Sequence, residues 1–394
     1  MTAAPHGSPT GHADHVGEEQ VPVDGRSWRF RWEREDRAAL GIWLASRFAV
    51  LVVVAGSAAW FFAPDGEVVP YLDRWQQWDF HHYWGIALWG YADEPTGVPA
   101  EAFFPGFPAT LWLGDLMGVR HVLMGLLVSV LAGGVAALAL RRLGDLEGGP
   151  GTGRLAVLLW VLAPPAVFLA APYTEALFLA AAVPAWLAAR RGHWHWAGLL
   201  VALSCTVRVN GVFLAAAVAV EFLTSPHRDW RRLPWLALPA VPLGAWTVYL
   251  YQLTGTWDAW LTAQARGWGR HFTWPWDAFA RTWQAAFGGG QSPNYAWMFR
   301  VEIAAVLVGV VLIVALACWR RWGAATWVGL NVVALATSTW YFSVPRSTLL
   351  WWPLFITLAM LAARRRWVLW CYLTVSAPLM VVWAVAFLSG EWAG

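Results

Sequence analysis

The chain's 394 residues would suffice for two or three soluble domains, but 59% of them are hydrophobic and only 13% charged, more apolar surface than a soluble fold of this length can hide. The 27 basic residues are all Arg, because Lys is absent, and against 24 acids they leave a net charge of +3. So small an excess does not suggest a nucleic-acid binder. Cys205, Cys318 and Cys371 lie far apart inside apolar runs and support neither a disulfide framework nor a zinc motif, so packing is their expected role.

In chain order, residues 1–37 are polar and lack the short apolar core of a signal peptide, which predicts a disordered, uncleaved tail. Residues 38–394 then read as one transmembrane domain. A bilayer core of about 30 Å needs about 20 apolar helical residues. Eleven apolar runs offer themselves: 38–62, 118–140, 155–171, 174–190, 194–206, 209–223, 234–253, 299–319, 324–342, 347–363 and 367–388. Pro164-Pro165, Pro172 and the segment 208–211 break the stretch between 155 and 223 into short pieces. With eleven crossings, the arginines of the tail and of the clusters at 141–142, 190–191, 228–232, 320–321 and 364–366 all fall on one side. Positively charged short loops stay cytoplasmic, so that side, with the N-terminus, is expected to face the cytoplasm. The other side receives two long loops, 63–117 and 254–298, and any chemistry is expected there. No repeat of 20 to 50 residues is visible, nor an inverted repeat.

Several residues are not explained by hydrophobic packing. Residues 78–91, WDFHHYWGIALWGY, predict an amphipathic helix on the outer interface, with Asp79, His82, Tyr83 and Ile86 on one face. An acid among so many aromatics suits a base that takes up and releases a proton; the plainer reading makes Asp79 a helix cap. Glu101 opens EAFFPGFP, whose prolines and glycine impose an irregular approach to the next span, or simply a turn. In APYTE, Glu175 sits just inside a helix start, where it also complements the dipole. Arg208, flanked by short apolar runs, is expected below the outer surface, at a depth where charges pair or line a ligand path. Arg346 is the basic residue of the outer connection 343–346. Together Arg208 and Arg346 could neutralise one phosphate; the alternative pairs each with an acid such as Glu175 or Asp79. The second outer loop holds Asp258, Arg266, Arg270, His271, Asp277, Arg281 and many Trp, a composition suited to carbohydrate or headgroup contacts. His121 reads as a packing residue and Glu221 as a side chain that snorkels to the inner surface.

Taken in order, WDFHHYWGIALWGY at 78–91, AFFPGFP at 102–108, APYTEALFL at 171–179, TVRVNG at 206–211 and PRSTLLWWPLF at 345–355 resemble the PIG-V family of membrane mannosyltransferases, of the GT-C superfamily. The absence of Lys beside abundant Ala, Gly, Arg and Trp suggests a high-GC bacterial genome, and so a bacterial plasma membrane; the resemblance implies an all-α polytopic fold of the GT-C type. It further implies inverting transfer of mannose from a polyprenyl-phosphate carrier on the extracytoplasmic face, with Asp79 as catalytic base. Arg208 matches a family arginine that Pro-Thr usually follows; here Val209-Asn210 stands in that place. Arg208 and Arg346 are the candidates for the donor phosphate. His81, His82, Tyr83, Glu101, Tyr173, Glu175 and Asn210 are the candidates for sugar and acceptor, which is a glycolipid, glycan or protein hydroxyl. Some GT-C enzymes use a divalent metal, but no acidic cluster in this sequence requires a metal or other cofactor. Two further readings remain: a lipid or solute transporter whose path is lined by Arg208, Glu175 and Asp79, and a noncatalytic partner subunit of another glycosyltransferase.

Overall fold

The computed structural model describes residues 32–61, 69–92, 99–226 and 228–393, and every regular element among them is helical. The chain begins with α1 (Arg34–Phe48), which runs through a π-helical stretch (Ala49–Val54) into α2 (Ala55–Phe61). Two short helices, α3 (Asp79–Trp89) and α4 (Gly106–Leu116), occupy the first long loop. Then come α5 (His121–Gly148), α6 (Thr152–Val161), α7 (Thr174–Arg190), α8 (Trp194–Cys205), α9 (Asn210–Thr224) and α10 (Ala240–Thr254). The second long loop is also helical, with α11 (Ala259–Trp268) and α12 (Pro275–Phe287). The last part holds α13 (Pro293–Cys318), α14 (Trp322–Ala336), the single turn α15 (Val344–Ser347), α16 (Trp352–Arg364) and α17 (Arg366–Leu388).

The structure does not confirm the expected eleven crossings. Among the described residues, five helical stretches are long and apolar enough to span a bilayer: Arg34–Trp60, His121–Gly148, Trp230–Thr254, Pro293–Cys318 and Arg366–Leu388. A sixth arises if Val344–Leu350 and Trp352–Arg364, bent by 73°, count as one broken span. The apolar helices α6, α8, α9 and α14 are shorter. Hydropathy marks them as strongly as the longer helices, because a helix wrapped by other helices is as apolar as one wrapped by lipid. Nearly all of α7 is buried inside the bundle, whereas Val311 on α13 is 69% exposed, an apolar surface that suits lipid rather than water. The chain is a multi-pass membrane protein.

The predicted tail lies outside the described residues up to position 31. The first helix starts at Arg34 because Asp36, fully buried, accepts from Arg141 Nη1 at 3.0 Å and Arg142 Nη2 at 2.7 Å. For the same reason α5 runs eight residues beyond the expected end of its apolar run. Close helix packing also fixes α1 on α5: Trp43 donates to the Val130 carbonyl at 3.0 Å and lies where a Cβ on Gly133 would collide with its ring. At that same end of the bundle Glu221 is buried and pairs with Arg190 at 2.5 Å, while Glu147 pairs with Arg321 at 2.6 Å. Glu221 therefore does not snorkel. Arg190 ends α7 and Glu175 begins it; fifteen residues at ~1.5 Å each put the two ionic clusters about 22 Å apart along the helix.

Candidate active site

The site is assembled from four chain breaks. Asp79 is the first residue of α3, and Trp78 before it holds φ 49° and ψ −115°, a conformation that bulky residues avoid. Such a residue costs about 1–3 kcal/mol and persists only where the surroundings impose it. Phe80, Tyr83 and Ile86 are the buried face of α3. The Tyr83 ring meets Phe103, Phe107 and Tyr173 edge-on at 5.2, 5.1 and 6.0 Å, and the Tyr173 hydroxyl donates to the Gln77 carbonyl at 2.7 Å. That bond ties the 171–173 turn to the residues just ahead of Asp79.

The third break is the turn between α8 and α9, which carries Arg208. Here the prolyl-glycyl segment of the first loop packs directly: the Gly106 amide donates to the Thr206 carbonyl at 2.8 Å, and a Cβ on Gly106 would sit 2.8 Å from the same oxygen. The fourth is the turn at 343–347. Ser343 has a left-handed φ of 67°, and the amides of Ser343 and Val344 donate to Glu302 of α13 at 2.7 and 2.8 Å. This places Arg346.

Glu175, fully buried at the start of α7, is where the two arginines converge. Its Oε1 accepts from Arg346 Nε at 2.5 Å and from Arg208 Nη1 at 2.6 Å. Arg346 Nη1 also donates to Asp79 Oδ2 at 2.9 Å, and its guanidinium lies over the rings of Tyr173 and Phe168 at 4.6 and 4.8 Å. Arg208 Nη1 further donates to Thr174 Oγ1 at 2.6 Å and its Nε to Asn210 Oδ1 at 3.1 Å. Asn210 in turn donates to Asn331 of α14 at 2.7 Å. Asp79, 23% exposed at its side chain, lines a cavity of about 610 Å³ together with Tyr83, Tyr173, Arg208, Asn210 and Arg346. Burial first, and then the negative charge of Asp79, pushes the phenols of Tyr83 and Tyr173 above their ordinary value, so both stay protonated.

Six of the ten candidates thus line one cavity. Glu175 does not: it stands behind the wall and holds the arginines. His81, about 200° around the helix from Asp79, lines a separate cleft of about 470 Å³ with Asp73, Arg120 and His121. The His82 ring stacks on Phe103 at 5.2 Å and meets Trp268 at 6.4 Å, one layer back from the cavity. Glu101 pairs with Arg266 of α11 at 3.7 Å, apart from the cavity wall. Sequence reading missed Glu302 and Asn331, although a lone acid within a 26-residue apolar helix is the kind of signal that marks a functional position in a membrane. It also left Arg270, on the cavity wall, without a specific role. Among the described residues, no three His, Cys, Asp or Glu side chains gather where they could hold a metal ion.

Fold and site define a polytopic helical membrane protein with a carboxylate and two tethered guanidiniums on the wall of a cavity at one end of its bundle. The family model Mannosyltransferase (PIG-V) matches residues 58–231, a little under half of the chain. Asp79, Tyr173, Glu175, Arg208 and Asn210 fall within it; Arg346 lies beyond. GPI alpha-1,6-mannosyltransferase 2 of Rattus norvegicus is 39% identical over 176 residues, 41% of this chain and 34% of that protein. The Homo sapiens protein of the same name is 38% identical over 157 residues, 37% of this chain and 30% of that one. The chain thus spans about a third of the length of the curated relatives it matches. An Archaeoglobus fulgidus oligosaccharyltransferase structure, in complex with Zn and sulfate, is similar at a TM-score of 0.44 and 12% identity, over 90% of this chain and 53% of that one.

Proposed function

We propose that the protein is a membrane glycosyltransferase that moves a sugar, mannose by its family, from a polyprenyl-phosphate carrier to an acceptor hydroxyl, with inversion at the anomeric carbon. The observation that carries this reading is the pairing of Asp79 with Arg346 on the cavity wall, inside a chain whose residues 58–231 match a mannosyltransferase family. An acceptor hydroxyl is a poor nucleophile, and a carboxylate within hydrogen-bond reach removes its proton as it attacks. Arg346 holds Asp79 by Oδ2, which orients the carboxylate. As the new bond forms on one face of the anomeric carbon, the bond to the phosphate oxygen breaks on the other, and the lipid phosphate leaves with the electron pair. Nη2 of Arg208 and of Arg346 makes no protein hydrogen bond among the described residues, so each has a donor to offer that oxygen. Preorganised donors of this kind lower a barrier by several kcal/mol in a partly dry site.

Arginine clusters at the opposite end of the bundle support an orientation with that end and the N-terminus cytoplasmic and the cavity extracytoplasmic; the Lys-free, Arg- and Ala-rich composition supports a bacterial plasma membrane. The acceptor is a hydroxyl of a glycolipid, glycan or protein. The test is an assay with radiolabelled polyprenyl-phosphate mannose and membranes of cells that express the chain. Wild type labels an acceptor, and Asp79→Asn loses about 10²–10⁴ of the rate while still binding donor. Normal turnover by Asp79→Asn would refute the base, and absence of label in wild type would refute the donor class.

A further inference from the structure

Arg208 and Arg346 face the cavity already matched with Glu175 and Asp79. A third guanidinium on the same wall is not. Arg270 lines the cavity, yet among the described residues no carboxylate oxygen comes within 4 Å of it and its side chain makes no hydrogen bond. Its Nε is sealed from solvent without a partner. The nearest aromatic support is loose, with Cζ 5.7 Å from the Phe342 ring centre. A half-buried guanidinium with a sealed, unpartnered Nε is costly unless an anion completes it.

The position of Arg270 is built rather than accidental. Gly269, at φ 60°, ends α11 and turns the chain. The strap that follows is tied down at three points: Thr339 Oγ1 donates to the Gly269 carbonyl at 2.6 Å, the His271 amide donates to Thr339 Oγ1 at 3.1 Å, and the Thr273 amide donates to the Thr337 carbonyl at 2.8 Å. None of these bonds uses the Arg270 side chain, so the strap holds its place whatever residue stands at 270. Burial pulls the Arg270 guanidinium below the usual arginine value, with Asp79 and Glu302 acting only partly against it. Glu302 is itself engaged by two backbone amides.

We propose that Arg270 is the residue that takes the negative charge of the donor's phosphate, while Arg208 and Arg346 contribute hydrogen bonds from a locally neutral cluster. This rests on the transferase reading for the identity of the ligand, a phosphate monoester or diester anion on a lipid. A bidentate guanidinium fits such a group better than an ammonium does.

The experiment measures binding apart from catalysis, with polyprenyl phosphate as the probe and the full chain in nanodiscs. Arg270→Ala weakens polyprenyl phosphate binding about tenfold to a hundredfold and raises the donor KM by a similar factor, with the acceptor KM and the unfolding temperature unmoved. Arg270→Lys recovers part of the affinity. Wild-type affinity in Arg270→Ala overturns the proposal, as does Arg270→Lys binding no better than Arg270→Ala. Inorganic phosphate as an equally strong competitor would keep the anion site and overturn its assignment to a lipid. If wild type binds polyprenyl phosphate through Arg270 yet transfers no sugar, the phosphate site stands and the transferase reading falls.

Discussion

Glu175→Gln separates a residue that holds arginines from one that touches sugar. The side chain is fully buried, and one oxygen takes both Arg346 Nε at 2.5 Å and Arg208 Nη1 at 2.6 Å. Glutamine keeps the shape and one acceptor but removes the charge that two guanidiniums share. Breaking a buried ion pair from one side costs about 3–5 kcal/mol. Arg346 retains Asp79 and Arg208 is 21% exposed at its side chain, so the loss falls at the low end, about 3 kcal/mol. Unfolding in mixed micelles titrated with SDS, followed by tryptophan fluorescence, measures it. Adding Arg208→Met to Glu175→Gln removes the orphaned charge, so the double variant is more stable than the sum of the two single changes predicts. In the transfer assay the donor KM rises and the acceptor KM does not. A stability within about 0.5 kcal/mol of wild type, or an acceptor KM that rises instead, would return Glu175 to the sugar-contacting role its motif suggests.

Gly106→Ala places a methyl 2.8 Å from the Thr206 carbonyl oxygen, too close to be absorbed without moving the turn that carries Arg208. It should cost about 1–3 kcal/mol and raise the donor KM; unaltered stability and kinetics would show the contact to be slack. For the orientation, a chain without native cysteines and with Trp257→Cys, a position 65% exposed between α10 and α11, should react with an impermeant thiol reagent added to intact cells. Labelling only after lysis would invert the topology.

The residues of the site were readable mainly where local sequence carries the constraint. Asp79 stands at a helix start within an aromatic run, and Arg208 and Glu175 sit in breaks between apolar segments, where a charge is conspicuous because nothing in a packed membrane helix calls for it. Their partnerships were not readable: Asp79 and Arg346 are 267 positions apart, and only the packed bundle brings them to 2.9 Å. His81 lies away from the cavity for a related reason, since adjacency in sequence puts consecutive helical residues on different faces. Helix type was legible throughout and the count of crossings was not, because the buried α7 and the lipid-facing α13 share an apolar composition and differ only in what surrounds them. The left-handed turn at Ser343 and the strained Trp78 follow from tertiary contacts that no local pattern announces.

The same geometry weighs the transferase against a carrier. A transporter that used Asp79, Glu175 and Arg208 as its path would continue that polar route toward the opposite end of the bundle and expose it there in alternation. Along α7, which joins the two ionic clusters, residues 176–189 read ALFLAAAVPAWLAA, about 20 Å of helix without a polar side chain. The groups at the cavity are also cross-tied, each arginine to Glu175 and one to Asp79, a rigid arrangement that costs little to maintain before substrate arrives and little to reorganise when charge develops on a leaving phosphate. A carrier needs its charges to change partners as it turns, whereas a catalyst of group transfer needs them held where the charge will appear, and the shared tie of Arg208 and Arg346 to Glu175 favours the second.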